Sequence, residues 1–119
     1  MKKMLFSLMM VAAGIFGAMA ADTPTFPGGE EALTEFISSN TKYPSAAKDN
    51  GVEGVVTVGF VVSPDGSLKN IKVVKFVDPD LEKEAVRVVS SMPNWVPAEK
   101  DGTPIEAPSK VDVPFILEE

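Results

Sequence analysis

The sequence predicts a two-layer α+β domain, in which a three-stranded antiparallel or mixed sheet with strand order 2-1-3 carries two helices on one face. Three observations support this prediction. They are two amphipathic helical stretches, one strongly apolar β-branched run, and the chain order helix, strand, strand, helix, strand. The 119 residues are enough for one domain, which we expect to occupy residues 30–119.

The first helix is predicted over residues 30–39. Its apolar residues fall on one stripe: Ala32, Leu33, Phe36 and Ile37. Glu30 and Glu31 stand at the positive end of the helix dipole, where acidic groups stabilise. A further helical turn is predicted at residues 45–49, after Tyr43 and Pro44.

Two strands joined by a tight turn follow. Residues 55–62 (VVTVGFVV) are apolar on both alternating faces, which favours the centre of the sheet. Residues 63–66 form the turn, because Pro64 suits its second position and Gly66 supplies a left-handed residue. The second strand, residues 68–76, carries three lysines, which is typical of an edge strand.

The second helix is predicted to begin with Asp78 as its N-cap and Pro79 at its first position, and to end at Pro93. Residues 95–98 are expected to be irregular and residues 101–102 to form a turn.

The third strand is predicted over residues 111–117, where apolar residues alternate. Its place beside the first strand puts it at the second edge of the sheet. Pro114 supports an edge position, because a central strand would lose a ladder hydrogen bond there.

Residues 1–20 are predicted to be a cleaved signal peptide. Lys2 and Lys3 precede an apolar run over residues 4–16, and Ala18-Met19-Ala20 fits a signal peptidase site. An uncleaved membrane anchor is the alternative, although the run is short for a span of about 20 residues. Residues 21–29 are expected to form a short leader. These features predict a secreted protein and fit a bacterial periplasm, with an inner-membrane anchor if the signal is not cleaved.

Charge and composition exclude several classes of function. Without residues 1–20 the chain has nine basic and 17 acidic residues, a net charge of −8, so nucleic acid is not expected as a partner. The chain contains no His and no Cys, which removes the commonest general base, the thiol nucleophile and the commonest metal ligands. We therefore expect no enzymatic activity, no cofactor and no disulfide.

The acidic cluster at the start of the second helix has two interpretations. Asp78, Asp80, Glu82 and Glu84 could form a Ca²⁺ site or an acid/base pair. The favoured interpretation is structural: Asp78 caps the helix, Asp80 stabilises its first turn, and the glutamates face solvent.

An edge strand offers unpaired N–H and C=O groups to a strand from another protein. The alternative is an edge blocked by Pro114 or by Glu118 and Glu119. Trp95, the only tryptophan, is either an exposed binding anchor or, as favoured here, a packed aromatic under a loop.

Residues 26–117 together resemble the TonB C-terminal domain family. The matching pieces occur in the family's order: Phe26-Pro27-Gly28-Gly29, Tyr43-Pro44, Gly54-Val55-Val56, Pro64-Asp65-Gly66, Asp80-Leu81 with Glu84-Ala85, Met92 to Ala98 (MPNWVPA), Gly102-x-Pro104 and Val113-Pro114-Phe115.

The resemblance implies a periplasmic role in transport across the outer membrane. It implies that the last strand grips a short receptor segment, the TonB box, by strand addition. The partner-binding residues expected on this basis are Val111, Asp112, Val113, Pro114, Phe115, Ile116 and Leu117, with Tyr43 and Pro44 near the receptor contact. The residues expected to be structural are Trp95, Pro97, Gly66, Asp78 and Gly102.

Full energy transducers of this family have an uncleaved membrane helix and a long Pro-rich spacer. Residues 21–29 would reach only about 30 Å when extended. The expected function is therefore a soluble adaptor that binds outer-membrane receptors, or another protein's edge strand, without transducing energy. Two alternatives remain: a short anchored transducer, and a homodimer in which the exposed edge pairs with itself.

Overall fold

The computed structural model describes residues 22–117. The predicted signal peptide at residues 1–20 lies outside this range. The helices are α1 (Glu30–Asn40), α2 (Ser45–Asp49) and α3 (Pro79–Ser90), and the strands are β1 (Gly54–Val62), β2 (Leu68–Lys75), β3 (Ala98–Lys100), β4 (Thr103–Ile105) and β5 (Ala107–Phe115).

The main sheet has the strand order β2-β1-β5, and both pairings are antiparallel. This confirms the predicted order, with the most apolar strand in the centre. Because β2 and β5 are each antiparallel to β1, they run parallel to one another on opposite sides of it.

The last strand begins four residues earlier than predicted. β5 pairs with β1 in nine consecutive positions, from Gly54 opposite Phe115 to Val62 opposite Ala107. Residues 116 and 117, predicted as strand, lie beyond its end. The start of the strand was missed because its inward positions are Ala107 and Ser109, which are small or polar and do not extend the apolar pattern of residues 111–115.

A short hairpin of β3 and β4 occupies residues 98–105, where a turn but no strand was predicted. Its turn is made by Asp101 and Gly102, with φ of 54° and 80°. Two consecutive positive φ angles are typical of a two-residue hairpin loop. The turn was therefore predicted correctly, whereas the three-residue strands beside it were missed because they are polar and too short to show a period.

β2 and α3 also end earlier than predicted. β2 ends at Lys75, one residue before the predicted Phe76. α3 ends at Ser90, three residues before Pro93, which has no N–H to continue the helix and disfavours helical geometry in the residue before it.

One hydrophobic core lies between the sheet and the helices. It joins Leu33 and Ile37 of α1 and Leu81, Ala85 and Val89 of α3 to a single face of the sheet. The sheet residues in this core are Val56, Val58, Phe60, Val62, Val111, Val113 and Phe115. Since all of them share one face, both long helices lie on the same side of the sheet, as predicted.

The chain before α1 is packed against the rest of the unit. Thr25 forms two backbone hydrogen bonds with Val96, at 3.0 and 2.8 Å. The ring of Phe26 is buried and lies edge-on to Trp95, with 5.8 Å between the ring centroids. Gly28 then turns the chain into α1, and it has no room for a side chain because a Cβ would lie 2.9 Å from the Cβ of Ala32.

Candidate functional site

β5 offers an open edge. Within residues 22–117, β5 pairs with β1 alone, and no strand lies along its other side. An unpaired row of N–H and C=O groups is the feature that lets a strand from another chain add to a sheet.

The register shows which groups face this edge. Antiparallel partners alternate between pairs that exchange both hydrogen bonds and pairs whose N–H and C=O groups point outward. Pro108 and Pro114 have no N–H to donate to β1. Because they are an even number of residues apart, both occupy positions whose main-chain groups point away from β1. The N–H of Leu117 donates to the Glu53 carboxylate just before β1, at 2.7 Å, which fits the same alternation. The outward positions of β5 are therefore Pro108, Lys110, Asp112 and Pro114.

Two adjoining hollows lie between this edge and α1. The larger has a volume of about 610 Å³ and is lined by Thr34, Ile37, Tyr43, Asp112, Pro114 and Ile116, among others. The smaller, about 350 Å³, shares Thr34, Ile37 and Asp112 with it and extends to Glu30 and Lys110. We call the two hollows together the β5 groove. One wall is therefore the exposed side of α1, and the other is the open edge itself.

Tyr43 closes the end of the groove near Pro114. Its hydroxyl donates to the carbonyl of Val52, and its ring meets Phe115 edge-on. Burial raises the pKa of the Tyr43 phenol above its ordinary value, and the charge of Glu53 adds to this shift. The phenol is therefore a neutral donor at physiological pH, and the half-buried ring gives this end of the groove an aromatic surface.

The C-terminal end of α1 is held in place by α3. The Glu84 carboxylate accepts a 2.7 Å hydrogen bond from the N–H of Lys42, and it is paired with Arg87 at 2.7 Å. The Arg87 guanidinium also donates to the carbonyl of Asn40, the last residue of α1, at 2.7 Å. These bonds fix the helix that forms the groove wall.

The same contacts shift two pKa values. The hydrogen bonds from Arg87, and then the N–H of Lys42, hold the pKa of Glu84 below its usual value. The Glu84 carboxylate raises the pKa of Arg87 in turn. Both groups are charged at neutral pH, so the tie between α3 and α1 is intact there.

The predicted partner-binding residues divide into two sets. The side chains of Val111, Val113 and Phe115 are buried in the core, with exposed fractions of 4%, 0% and 1%. Those of Asp112 and Pro114 are exposed on the opposite face of the sheet, where Asp112 accepts a 2.7 Å hydrogen bond from the Thr57 hydroxyl.

The ends of the predicted set differ as well. Ile116 is 65% exposed and lines the groove just beyond the strand. Leu117 instead donates its main-chain N–H to the Glu53 carboxylate. The structure brings Tyr43 into the groove beside Phe115. Pro44 instead precedes α2, where its carbonyl accepts the N–H of Lys48 at 2.9 Å.

Sequence reasoning missed two parts of the groove. Pro108 and Lys110 lay outside the predicted strand. Extending the predicted alternation by four residues, to residue 107, would have included both. Thr34, Ile37 and Ser38 of α1 were assigned only to a helix packed on the core, and no local pattern indicates that this helix lies beside β5.

The residues predicted to be structural lie away from the groove. Trp95 is 5% exposed, and its ring lies 5.0 Å from that of Phe60, while its indole N–H has no acceptor among residues 22–117. Asp78 accepts hydrogen bonds from the N–H groups of Asp80 and Leu81 at 2.9 and 3.2 Å. Gly66 has φ of 92° in the β1–β2 turn, Gly102 lies in the β3–β4 turn, and Pro97 directly precedes β3.

Three of the four acidic side chains near α3 accept structural hydrogen bonds from main-chain N–H groups. Asp78 caps the helix, Glu82 accepts the N–H of Val77 at 2.7 Å, and Glu84 accepts that of Lys42. Within the described residues, no three acidic side chains are placed to hold a metal ion. None of the helices in residues 22–117 combines the length and the hydrophobicity that a membrane span requires.

Comparison with known proteins assigns a family to this architecture. The sequence profile described as Gram-negative bacterial TonB protein C-terminal matches residues 39–117. The chain belongs to this family. The resemblance predicted from the sequence motifs is thereby confirmed for the TonB C-terminal domain.

Curated relatives agree with this assignment. The chain is 36% identical over 73 residues to Protein TonB of Helicobacter pylori, and the match covers 60% of this chain and 26% of that protein. It is 33% identical over 78 residues to Protein TonB of Klebsiella pneumoniae, covering 66% of this chain and 30% of that protein. The matched part therefore spans only about a quarter to a third of these TonB proteins.

Solved structures show the same fold. Two solution NMR structures of the Helicobacter pylori TonB-CTD are similar to this chain, with TM-scores of 0.57 and 0.56 at 28% and 29% identity. The alignments cover 73% of this chain and 78% of the first structure, and 75% of this chain and 94% of the second. The predicted α+β class with its three-stranded sheet is confirmed.

Proposed function

We propose that this chain is a non-enzymatic, periplasmic module that binds extended segments of outer-membrane transport receptors by adding them as a strand to β5. The observation that carries the proposal is the open edge of β5 beside the β5 groove. Main-chain hydrogen bonds to the edge supply affinity in this mode of binding, and side-chain hollows supply specificity.

The surroundings of the edge support the proposal. Lys110 and Asp112 each direct an N–H and a C=O outward from the sheet. Within residues 22–117, neither N–H donates to a residue outside β1 and β5. The larger hollow presents Ile37, Pro114 and Ile116 to a side chain of the added segment. Membership of the TonB C-terminal family favours a receptor segment as the occupant.

The periplasmic location is part of the same proposal. It is supported by the pattern of residues 1–20 and by the Gram-negative origin of the family. Mass spectrometry of the protein isolated from cells tests it: a chain that begins at Ala21 supports a released periplasmic form. A chain that retains residues 1–20 in the membrane fraction supports the anchored short transducer instead.

Amide hydrogen exchange followed by NMR tests strand addition directly. In the free protein, we expect the outward amides of Lys110 and Asp112 to exchange fast and those of Val111 and Val113, which face β1, to exchange slowly. A TonB-box peptide should slow exchange at Lys110 and Asp112 and leave the other two unchanged. Binding without protection of either outward amide would contradict addition to β5.

A pair of variants isolates the main-chain contribution. Lys110→Pro removes an outward N–H and the lysine charge, whereas Lys110→Ala removes only the charge and the side chain. We expect Lys110→Pro to bind the peptide about fivefold more weakly than Lys110→Ala, the effect of one hydrogen bond. Equal affinities for the two variants, measured by calorimetry, would exclude pairing at this position.

A further inference from the structure

The two prolines of β5 bracket the part of its edge where an added strand can form complete pairs. We infer that Pro108 and Pro114 are the residues that determine the length and register of the strand this edge accepts, and that they limit pairing between β5 strands of two copies. The first half of this inference rests on the function proposed above; the second half does not.

The hydrogen-bonding capacity of the edge is asymmetric. Four outward carbonyls, at residues 108, 110, 112 and 114, can accept from a partner, but only Lys110 and Asp112 can donate to one. In antiparallel addition, a strand opposite Lys110 and Asp112 exchanges both hydrogen bonds at each position. Opposite either proline it makes one hydrogen bond instead of two, because the second carbonyl of the partner meets a ring in place of an N–H.

A short segment therefore gains nearly all that this edge offers. About five residues cover Lys110 and Asp112 with their flanks, since strand residues alternate in direction. Residues beyond these five lie opposite Pro108 or Pro114. Each of them adds less binding free energy there than it would opposite a residue that has an N–H.

Beyond Pro114 the contact changes from main chain to side chain. The larger hollow lies there, with Ile37, Tyr43 and Phe115 in its lining. An apolar residue of the segment near Pro114 would be seated against these side chains. The expected occupant is thus a short extended segment with an apolar residue at the end that reaches Tyr43.

The same arrangement weakens self-pairing. If two β5 strands met antiparallel around a twofold axis at Val111, Lys110 of one copy would face Asp112 of the other, and Pro108 would face Pro114. The Lys110–Asp112 pairs would form, whereas the proline pairs would have no N–H on either side. This pairing would have only half of the hydrogen bonds of a pairing without prolines. Natural edge strands are protected from edge-to-edge association by losses of this kind.

A length series of peptides tests the first half. TonB-box peptides of five and nine residues, sharing the same centre, are titrated into the purified protein and into the variants Pro108→Val and Pro114→Val. The unchanged protein is expected to bind the two lengths within about threefold of each other. Each variant is expected to gain about fivefold in affinity for the longer peptide, the effect of one restored N–H.

The control is Pro104→Val, which makes the same chemical change in β4, away from the β5 edge. It should leave the affinity for both peptides unchanged. If neither peptide binds the unchanged protein, the proposed function fails. If both bind and neither Pro108→Val nor Pro114→Val favours the longer one, the inference about the prolines is overturned while the proposed function stands.

Self-association is measured without any peptide. In sedimentation velocity over a concentration series, the double variant Pro108→Val/Pro114→Val should associate at least about tenfold more strongly than the unchanged protein, in line with several restored hydrogen bonds. Circular dichroism and thermal unfolding confirm that the variant is folded. A folded double variant with the same association behaviour as the unchanged protein and Pro104→Val would overturn the second half.

Discussion

Tyr43 meets Phe115 edge-on, with 5.6 Å between the ring centroids and 87° between the ring planes. One ring belongs to the loop after α1 and the other to the end of β5, so the contact joins the two walls of the β5 groove. Edge-to-face aromatic pairs contribute about 0.5–1.5 kcal/mol beyond the area they bury. The Tyr43 hydroxyl, by its bond to Val52, ties the same ring to the segment that leads into β1.

Two substitutions at Tyr43 separate its hydroxyl from its ring. Tyr43→Phe keeps the contact with Phe115 and loses the hydrogen bond to Val52, so we expect about 1 kcal/mol of lost stability and little change in peptide affinity. Tyr43→Ala also removes the groove wall, and we expect about 3 kcal/mol of lost stability and a peptide affinity lower by about tenfold. Urea unfolding and calorimetric titration measure both quantities. Unchanged peptide affinity in a folded Tyr43→Ala protein would show that the ring only packs the loop.

Gly66 is expected to tolerate no side chain. Its φ is 92°, and a Cβ would overlap the backbone oxygen of Trp95, whose N–H donates to the Gly66 carbonyl at 2.8 Å. We expect Gly66→Ala to lower the free energy of unfolding by about 3 kcal/mol, from left-handed strain and the displaced backbone.

Gly102 provides the matched comparison for Gly66. It has φ of 80°, but a Cβ added there would meet no other atom within 4 Å, so Gly102→Ala should cost only about 1 kcal/mol, the strain alone. Equal losses in thermal or urea unfolding would mean that contact with Trp95 does not matter.

Asp78 should stabilise α3 as its N-cap. Asp78→Ala leaves the N–H groups of Asp80 and Leu81 without their side-chain acceptor, and we expect a loss of about 1 kcal/mol. Asp78→Asn keeps an acceptor and should lose much less. Asp80→Ala, in the first turn of the same helix, serves as the charge control and should cost a few tenths of a kcal/mol. Chemical denaturation of the three variants ranks them, and a loss at Asp80 as large as that at Asp78 would argue against capping.

Stability should fall on acidification through Glu84. The folded-state pKa of Glu84 lies below the ordinary value of 4.5, so its contribution is complete above pH 4.5 and is lost as the pH falls through the folded value. At neutral pH we expect Glu84→Gln to cost about 1 kcal/mol, a modest figure because the pair with Arg87 is partly exposed.

The test of Glu84 is a comparison across pH. The difference in unfolding free energy between the unchanged protein and Glu84→Gln should be constant from pH 7 to about pH 5 and shrink below 4.5. Glu35→Gln, on the exposed side of α1, is the control for the loss of one surface carboxylate. A difference for Glu84→Gln that persists at low pH would indicate a packing effect instead of a charge effect.

The sequence predicts the elements whose signals are local. The apolar run at residues 55–62, the turn with Pro64 and Gly66, and the start of α3 at Asp78 all depend on neighbouring residues, and the structure has them within a residue or two. The strand order followed from the polarity of residues 68–75 against the central run. These signals were enough to establish the fold.

The candidate site depends on contacts that no local pattern contains. The hydrogen bonds between Lys42 and Glu84 and between Arg87 and Asn40 join residues 42 and 47 positions apart. Glu84 was therefore interpreted from the sequence as part of a solvated helix face. The first four residues of β5 were missed because their inward positions, Ala107 and Ser109, do not continue the apolar alternation of residues 111–115. The missing N–H groups of Pro108 and Pro114 leave the side-chain alternation unchanged, but they limit the hydrogen bonds that the open edge can form.

The chain carries its own pair of spectroscopic reporters, because it has one tyrosine and one tryptophan and they lie in different places. Trp95 is enclosed by Phe26 and Phe60 in the core, so its fluorescence follows the integrity of the whole folded unit. Tyr43 lines the groove, so its ultraviolet absorbance follows occupancy of that surface. A ligand that alters the tyrosine signal while the tryptophan emission stays constant would be bound without disturbing the interior, and both readings come from the protein without an added label.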